Sequence, residues 1–289
     1  MRFRLVRELA AEGFAVAVTC RVLNVSTSGF YEWASRRPSA RDVDDAVLLD
    51  QIIDIHAAAR ATYGYRRVHA ELVLGRRQPV GRRRVARLMR LHRLAGVHRR
   101  RWRRHQRAEA TWPDHVQRQF HADAPDRLWV TDITQHPTDE GWVYLAAVLD
   151  VFSRRVVGWS IADHLRTELV VDALDMARWR RRPAGTIVHS DRGTQYTSWL
   201  FGHRLREAGL IGSMGKVACA YDNSLAESFF GSMQIELLDR RRWATRADLA
   251  NAMFEWIEGW YNPNRRHSAL DYRSPIEFER LHTATTDAA

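Results

Sequence analysis

Near residue 126 the hydrophobic pattern of this 289-residue chain changes period. Upstream, apolar side chains recur at helical spacing; downstream they gather into short β-branched and aromatic runs cut by polar turns. A chain that switches period in this way reads as all-α modules followed by an α/β domain. The charge changes at the same place. Residues 1–120 hold 25 basic and 11 acidic side chains, whereas residues 121–289 hold 20 and 23. From Leu72 to Ala108 no acid occurs, while Arg76, Arg77, Arg82, Arg83, Arg84, Arg87, Arg90, Arg93, Arg99, Arg100, Arg101, Arg103 and Arg104 accumulate. Lys216 is the only lysine, so arginine is favoured throughout, but that bias does not remove acids. An acid-free run of cations is an electrostatic footprint for a phosphate backbone. The alternative is a solvated basic face.

Within the helical half, Leu5, Leu9, Val16, Val18 and Leu23 have near-helical spacing, and the break Asn24-Val25-Ser26 precedes a short helix over Thr27–Trp33. Ser26, Thr27 and Ser28 can cap that helix, which would present Ser28, Tyr31 and Arg36 outward. This is a candidate helix-turn-helix, with a plain helical hairpin as the other reading. An acid-capped amphipathic helix is expected over residues 42–60, with Val47, Ile52, Ile53 and Ile55 apolar. Two more helices, Gly64–Leu74 and Gly81–His92, flank a turn; in the second, Val85, Leu88 and Met89 would pack while Arg82, Arg83, Arg87 and Arg90 point away. Residues 99–121 have many charges, little periodicity and Pro113, which suits a linker tracking nucleic acid.

Leu128–Thr134, Trp142–Phe152 and Arg155–Ile161 read as an antiparallel meander joined by short polar turns. A helix over Thr167–Arg181 stops before Pro183, followed by a strand at Thr186–His189, a helix at Ser198–Ala208, a strand at Leu210–Ser213 and a helix from Ser224. The order βββαβαβα gives a mixed five-stranded sheet with helices on its faces.

Several classes are disfavoured. The longest apolar run, Trp142–Val151, is about half of what a bilayer span needs, and the charged N-terminus lacks a signal-peptide pattern. A soluble intracellular protein is expected. Cys20 and Cys219, the only cysteines, are too far apart in sequence to suggest a disulfide framework, and the histidines lack zinc-ligand spacing beside a cysteine pair.

Asp132 falls inside the first strand, Trp129-Val130-Thr131-Asp132-Ile133-Thr134, where a charge among apolar neighbours is costly unless paired or metal-bound. Asp191 ends a later strand, at the carboxyl edge where open sheets carry their sites. Glu227 has two readings, because Ser224-x-x-Glu227 is also a capping box. The 35 residues between Asp191 and Glu227 do not decide it; acid pairs at that separation arise by chance in so acidic a segment. Phosphodiester chemistry through two hard ions needs carboxylate oxygens of this kind. Asp150 is a rival ligand or a turn-stabilising group, and His189 and Asn223 border the acids. Arg265, Arg266 and His267 follow an amphipathic helix and are candidates for phosphate contact, with helix-end packing as the alternative.

The strings around Asp132, Leu149-Asp150-Val151-Phe152-Ser153-Arg154, Gly158-Trp159, His189-Ser190-Asp191-Arg192-Gly193-Thr194-Gln195-Tyr196 and Asn223-Ser224-Leu225-Ala226-Glu227-Ser228-Phe229-Phe230 resemble the retroviral-integrase-type core of bacterial insertion-sequence transposases. With Thr62-Tyr63-Gly64-Tyr65-Arg66-Arg67-Val68 and Tyr261-Asn262-Pro263-Asn264-Arg265-Arg266-His267-Ser268-Ala269-Leu270, the chain is most similar to second-reading-frame products of the IS-three group. That resemblance implies a ribonuclease-H-like fold and a triad of Asp132, Asp191 and Glu227 holding Mg²⁺ or Mn²⁺, two ions being expected for cleavage and 3′-hydroxyl strand transfer. Arg66 and Arg67 join the basic run, Arg265 and Arg266 as candidate contacts to double-stranded DNA. The expected partners are DNA, further copies of the chain on it, and a first-reading-frame protein or frameshift fusion; the expected location is the prokaryotic cytoplasm, at the nucleoid. Gln234 departs from the family pattern, which usually has a lysine or arginine seven residues after the glutamate. Five segments are expected: a helix-turn-helix-like module (1–40), a basic helical module (41–105), a linker (106–122), the catalytic core (123–240), and a helix and tail completing it (241–289). A stand-alone nuclease of the same fold and a non-catalytic DNA-binding repressor are the competing functions.

Overall fold

The computed structural model describes residues 2–36, 39–97, 112–116, 119–214 and 224–287. The expectations placed on Arg99, Arg100, Arg101, Arg103, Arg104, Cys219 and Asn223 lie outside those residues. The chain divides into two compact units, residues 1–53 and 54–289.

In the first unit, α1 (Arg2–Ala11), α2 (Val16–Val22) and α3 (Thr27–Ser35) pack around Val6, Cys20 and Phe30. Ser26 caps α3 by accepting from Gly29 N, and Ser28 and Tyr31 are exposed as expected. Val16 and Leu23 pack against this core as expected and Leu9 is half-buried, whereas Leu5 and Val18 are exposed. Phe3, Phe30 and Trp33 add an aromatic cluster to the same core. Helix α4 (Ala40–Ala58) is capped by Ser39 and Asp42, which exchange hydrogen bonds across the first turn. It buries Leu48, Ile52 and Ile55 and leaves Val47 and Ile53 exposed.

In the second unit α5 (Tyr65–Ala70) runs into a π-helical turn at Glu71–Gly75, and α6 (Arg82–Leu91) packs back on it through Val85, Leu88 and Met89. Gly96 lies so close to the Gly64 backbone that a Cβ there would collide with its nitrogen, and Val97 N donates to Thr62 O.

The sheet that follows has the order β3-β2-β1-β4-β5. Strands β1 (Leu128–Thr138), β2 (Gly141–Asp150) and β3 (Val156–Ala162) form the antiparallel meander. β1 is longer than expected because Gln135, His136, Pro137 and Thr138 pair across the hairpin with Tyr144, Val143, Trp142 and Gly141. β4 (Ile187–Ser190) and β5 (Ile211–Met214) add in parallel on the other side of β1, connected through α7 (Thr167–Arg181) and α8 (Trp199–Glu207). Helix α7 ends with Arg182 in the left-handed conformation before Pro183.

One face of the sheet, with Trp129, Ala146, Val148 and Val188, packs on α7 and α8. The other, with Val130, Leu145, Ala147 and Leu149, packs on α9 (Ser224–Glu236) and α10 (Arg246–Phe254). Beyond α10 come a π-helical turn at Glu255–Tyr261, a single helical turn α11 (Asn262–Asn264) and α12 (Pro275–Asp287). α12 is tied to the core through Glu279, which accepts from both Arg155 and Arg181. The Asn262 amide both accepts from Val156 N and donates to Val156 O, as a neighbouring strand would. This mixed sheet with helices on both faces is the expected architecture.

Gly158 sits where β3 meets α7, and a Cβ there would collide with Ala173 O and with Ala177. Gly158→Ala should therefore lower the unfolding free energy by about 1–3 kcal/mol through overpacking. A urea midpoint unchanged from the parent would show that α7 does not lie this close to β3.

Candidate active site

The parallel pairing of β1 with β4 carries the geometry of the acids. Val130 stands opposite His189 and Thr131 opposite Ser190. Val130 belongs to the face covered by α9, because side chains alternate along a strand. Asp132 and Asp191 each continue that series by one alternate position, past the last paired rung. By that register the two carboxylates project from one face of adjacent strands, Asp191 just past the end of β4 and Asp132 within β1, opposite Ala147 of β2. Asp132 Oδ1 accepts from Ile133 N at 2.8 Å, and Asp191 Oδ1 from Gly193 N at 2.9 Å. Burial pushes the Asp191 carboxyl above its usual range, against the lowering effect of the Gly193 hydrogen bond.

Tyr196 is the residue the sequence reading gave no role. It is fully buried, its hydroxyl 3.2 Å from Thr131 Oγ1. Burial, and after it the fields of Asp132 and Asp191, push its phenol well above the usual range, so it stays protonated beside both acids. Its signal was present: an aromatic five positions after Asp191, inside a polar string, has little reason to be there unless the chain turns back into the core. His189 is a packed residue, Nδ1 lying 3.0 Å from Ser213 Oγ with the Phe120 ring edge-on at 5.4 Å. Asp150 is committed to the β2–β3 turn: its oxygens accept from Ser153 N, Ser153 Oγ and Asp126 N.

Glu227 lies in the first turn of α9, exposed, on the side of the sheet that Asp132 faces. Helix α9 starts at Ser224 itself, so the position preceding it is Asn223, outside the described residues. Among the described residues no three His, Cys, Asp or Glu side chains are grouped closely enough to hold one metal ion. The register sets Asp132 and Asp191 on adjacent strands with their side chains on one face, and Glu227 lies on the helix that covers that face. The aspartate pair still fits a hard divalent cation. Both are oxygen donors, and a cation would offset the cost of keeping Asp191 ionised where burial opposes it.

The arginines divide into two sets. On α6, Arg82, Arg83 and Arg90 are exposed and Arg84 and Arg87 half-buried, opposite the face that holds Val85, Leu88 and Met89. Arg66 is exposed on α5, its guanidinium 5.8 Å from the Tyr65 ring. Arg265 and Arg266, expected to reach phosphate, are only 4% and 7% exposed. Arg265 donates to both oxygens of the buried Glu236, at 2.7 and 2.9 Å, and to Ser232 Oγ at 3.0 Å. Arg266 donates to Glu71 at 2.7 Å and to Glu277 at 2.8 Å. Their donors are spent on carboxylates of other segments, which corrects the expectation of DNA contact for these two. Arg67 also turns inward, 3.5 Å from Glu236. His267 is held well below its usual pKa by burial and by Arg265, Arg67 and Arg154, so it adds no charge to this cluster. Gln234 donates to the exposed Asp239 just beyond α9.

Two family models named Integrase core domain match residues 122–218 and 209–275, and one named HTH-like domain matches residues 42–102. The transposase for insertion sequence element IS629 of Shigella sonnei is 38% identical over 95% of this chain and 94% of its own length. Transposase InsF for insertion sequence IS3A of Escherichia coli K12 is 35% identical over 98% of this chain and 100% of its own. Among solved structures, the HTLV-2 integrase catalytic core domain in complex with magnesium is similar over 55% of this chain and 99% of that one, at 16% identity and a TM-score of 0.42. That last likeness is too low to bear on the site.

A carboxyl whose folded pKa lies above its unfolded one stabilises the fold where it is protonated, and the contribution is lost as pH rises through the folded value. Without divalent ions, Asp191→Asn should therefore melt at a higher temperature than the parent at pH 7. The gap should close as pH falls below the usual carboxylate value of 3.8. A lower melting temperature for Asp191→Asn at pH 7, read by calorimetry, would contradict the burial argument.

Proposed function

This chain belongs to the insertion-sequence transposases with an integrase core, and from that premise we propose that Asp132, Asp191 and Glu227 are its metal-holding carboxylates for DNA cleavage and strand transfer. The observation that carries the reading is the β1–β4 register, which supports Asp132 and Asp191 as an adjacent pair on one face of the sheet where β4 ends. Glu227 is the third donor by its place on the helix that covers that same face. When bound, a pair of Mg²⁺ or Mn²⁺ ions would supply Lewis-acid activation of the attacking and leaving oxygens.

The chain's own residues do the rest. Asp132 and Asp191 fix where the reacting phosphate sits, and Tyr196 keeps its phenol protonated in the core on the α7 and α8 side of the sheet. Arg66, Arg82, Arg83, Arg84, Arg87 and Arg90 line the helical module and grip the DNA backbone, with Arg99, Arg100, Arg101, Arg103 and Arg104 extending the basic run in sequence. In the first step water breaks a phosphodiester at the element end and frees a 3′-hydroxyl. In the second that hydroxyl attacks a target phosphodiester, so one P–O bond forms as one breaks and the displaced target strand leaves with its own 3′-hydroxyl. Two element ends must meet, so further copies of the chain assemble on the DNA, with a first-reading-frame protein or fusion supplying the rest.

The test is cutting and joining of duplexes that carry the element's terminal sequence, with Mg²⁺ or Mn²⁺. Losing a ligand removes several kcal/mol of transition-state stabilisation, so Asp132→Ala and Asp191→Ala should each slow both steps by about a hundredfold or more. Cutting without joining by the parent chain would make it a nuclease. No metal-dependent cutting at all would leave the repressor reading.

A further inference from the structure

Two motifs singled out in the sequence, Thr62–Val68 and Tyr261–Leu270, lie nearly two hundred positions apart, and the structure packs them into one buried cluster. Tyr63 receives a hydrogen bond from Arg266 N at 2.7 Å and donates to Asn264 O at 3.3 Å, and its ring lies 5.7 Å from that of Trp260. Arg67 stacks over Tyr63 at 5.5 Å and reaches Glu236 at 3.5 Å. Glu236, 3% exposed, is the last residue of α9, the helix that carries Glu227. Arg265 grips that helix twice, at Ser232 and at Glu236, one turn apart. A planar guanidinium bonded to two successive turns fixes both the rotation of a helix and its position along its axis. Glu227 stands nine residues upstream of Glu236, about 13 Å along the same helix. A helix is stiff over that length, so an error in rotation at Glu236 is carried in full to Glu227.

We propose that Glu236, clamped between Arg265 and Arg67, is a positioning residue of the active site: it is the joint through which DNA held on the helices of residues 64–91 sets where Glu227 stands. Arg67 is the moving contact. It sits on α5, one position from the exposed Arg66, and so links the DNA-gripping module directly to α9. This inference rests on the reading of Glu227 as the third carboxylate, but its test does not require cleavage.

The measurement is amide hydrogen exchange of the full chain, with and without a duplex carrying the element's terminal sequence. In the parent, DNA should slow exchange over residues 224–236 by about tenfold, as well as over α5 and α6. In Arg67→Met the Glu236–Arg265 pair remains, so the chain folds. The slowing over 224–236 should fall below about twofold while that over α6 persists and DNA affinity stays within about threefold. Arg67→Lys, which keeps a cation for this single-contact pair, should restore most of the effect. Glu236→Gln should behave as Arg67→Met does, and if it fails to fold, the Arg67 pair of variants decides.

Equal slowing over 224–236 in Arg67→Met and parent overturns the joint, as does its absence in the parent. A collapse of affinity in Arg67→Met overturns it too, by making Arg67 a phosphate contact. A parent that shows the coupling yet never cuts DNA leaves the joint standing and removes the active-site reading instead.

Discussion

Strand β1 is bonded along both edges, antiparallel to β2 and parallel to β4. Every other part of the core is placed by that fact. A central strand must bury side chains on both faces, which is why Leu128, Trp129 and Val130 run without a polar break. The first positions at which polarity becomes tolerable are those where β4 ends and the sheet opens, and there the sequence places Thr131 and Asp132. The acidic pair is a consequence of where burial stops, since the same chain advance on β4 delivers Asp191 one residue after Ser190.

How much of this was legible in the sequence depends on the range of the interaction concerned. The meander, α7 and the packed face of α6 follow from local periodicity, and they stand close to where the pattern put them. Asp132 and Asp191 were visible because a charge inside or at the end of an apolar strand is conspicuous by itself. The inward turn of Arg265 and Arg266 was not, because their partners Glu236, Glu71 and Glu277 stand on separate segments, two of them far away in sequence. A charge pattern records the presence of cations but not the carboxylate each will meet. The tail of β1 was missed for a similar reason: Gln135 and His136 have no strand signature, and it is pairing with β2 that extends the strand through them. In α1 and α4, several apolar positions share nearly the same helical face, and the neighbouring elements choose among them.

The Arg67, Glu236 and Arg265 set also bears on why charge is kept in the interior at all. Breaking one member of a buried ion pair costs about 3–5 kcal/mol, whereas replacing a whole set by apolar groups is often neutral or stabilising. Stability alone therefore gives little reason for such a set. What apolar contacts supply poorly is a unique rotation and register, since a smooth helix face can slide or roll at small cost. Directional hydrogen bonds from a guanidinium to Ser232 and Glu236 forbid both.

The amide of Asn262, bonded to both backbone groups of Val156, has a bearing on how copies of the chain can meet. β3 is the outer strand on that side of the sheet, and an outer strand with open amides is a template for another molecule's strand. A side chain that mimics a strand at one rung blunts that template where β3 begins, and it does so without adding a sixth strand. Where copies of the chain come close together, their sheets then carry less risk of fusing into a continuous ribbon.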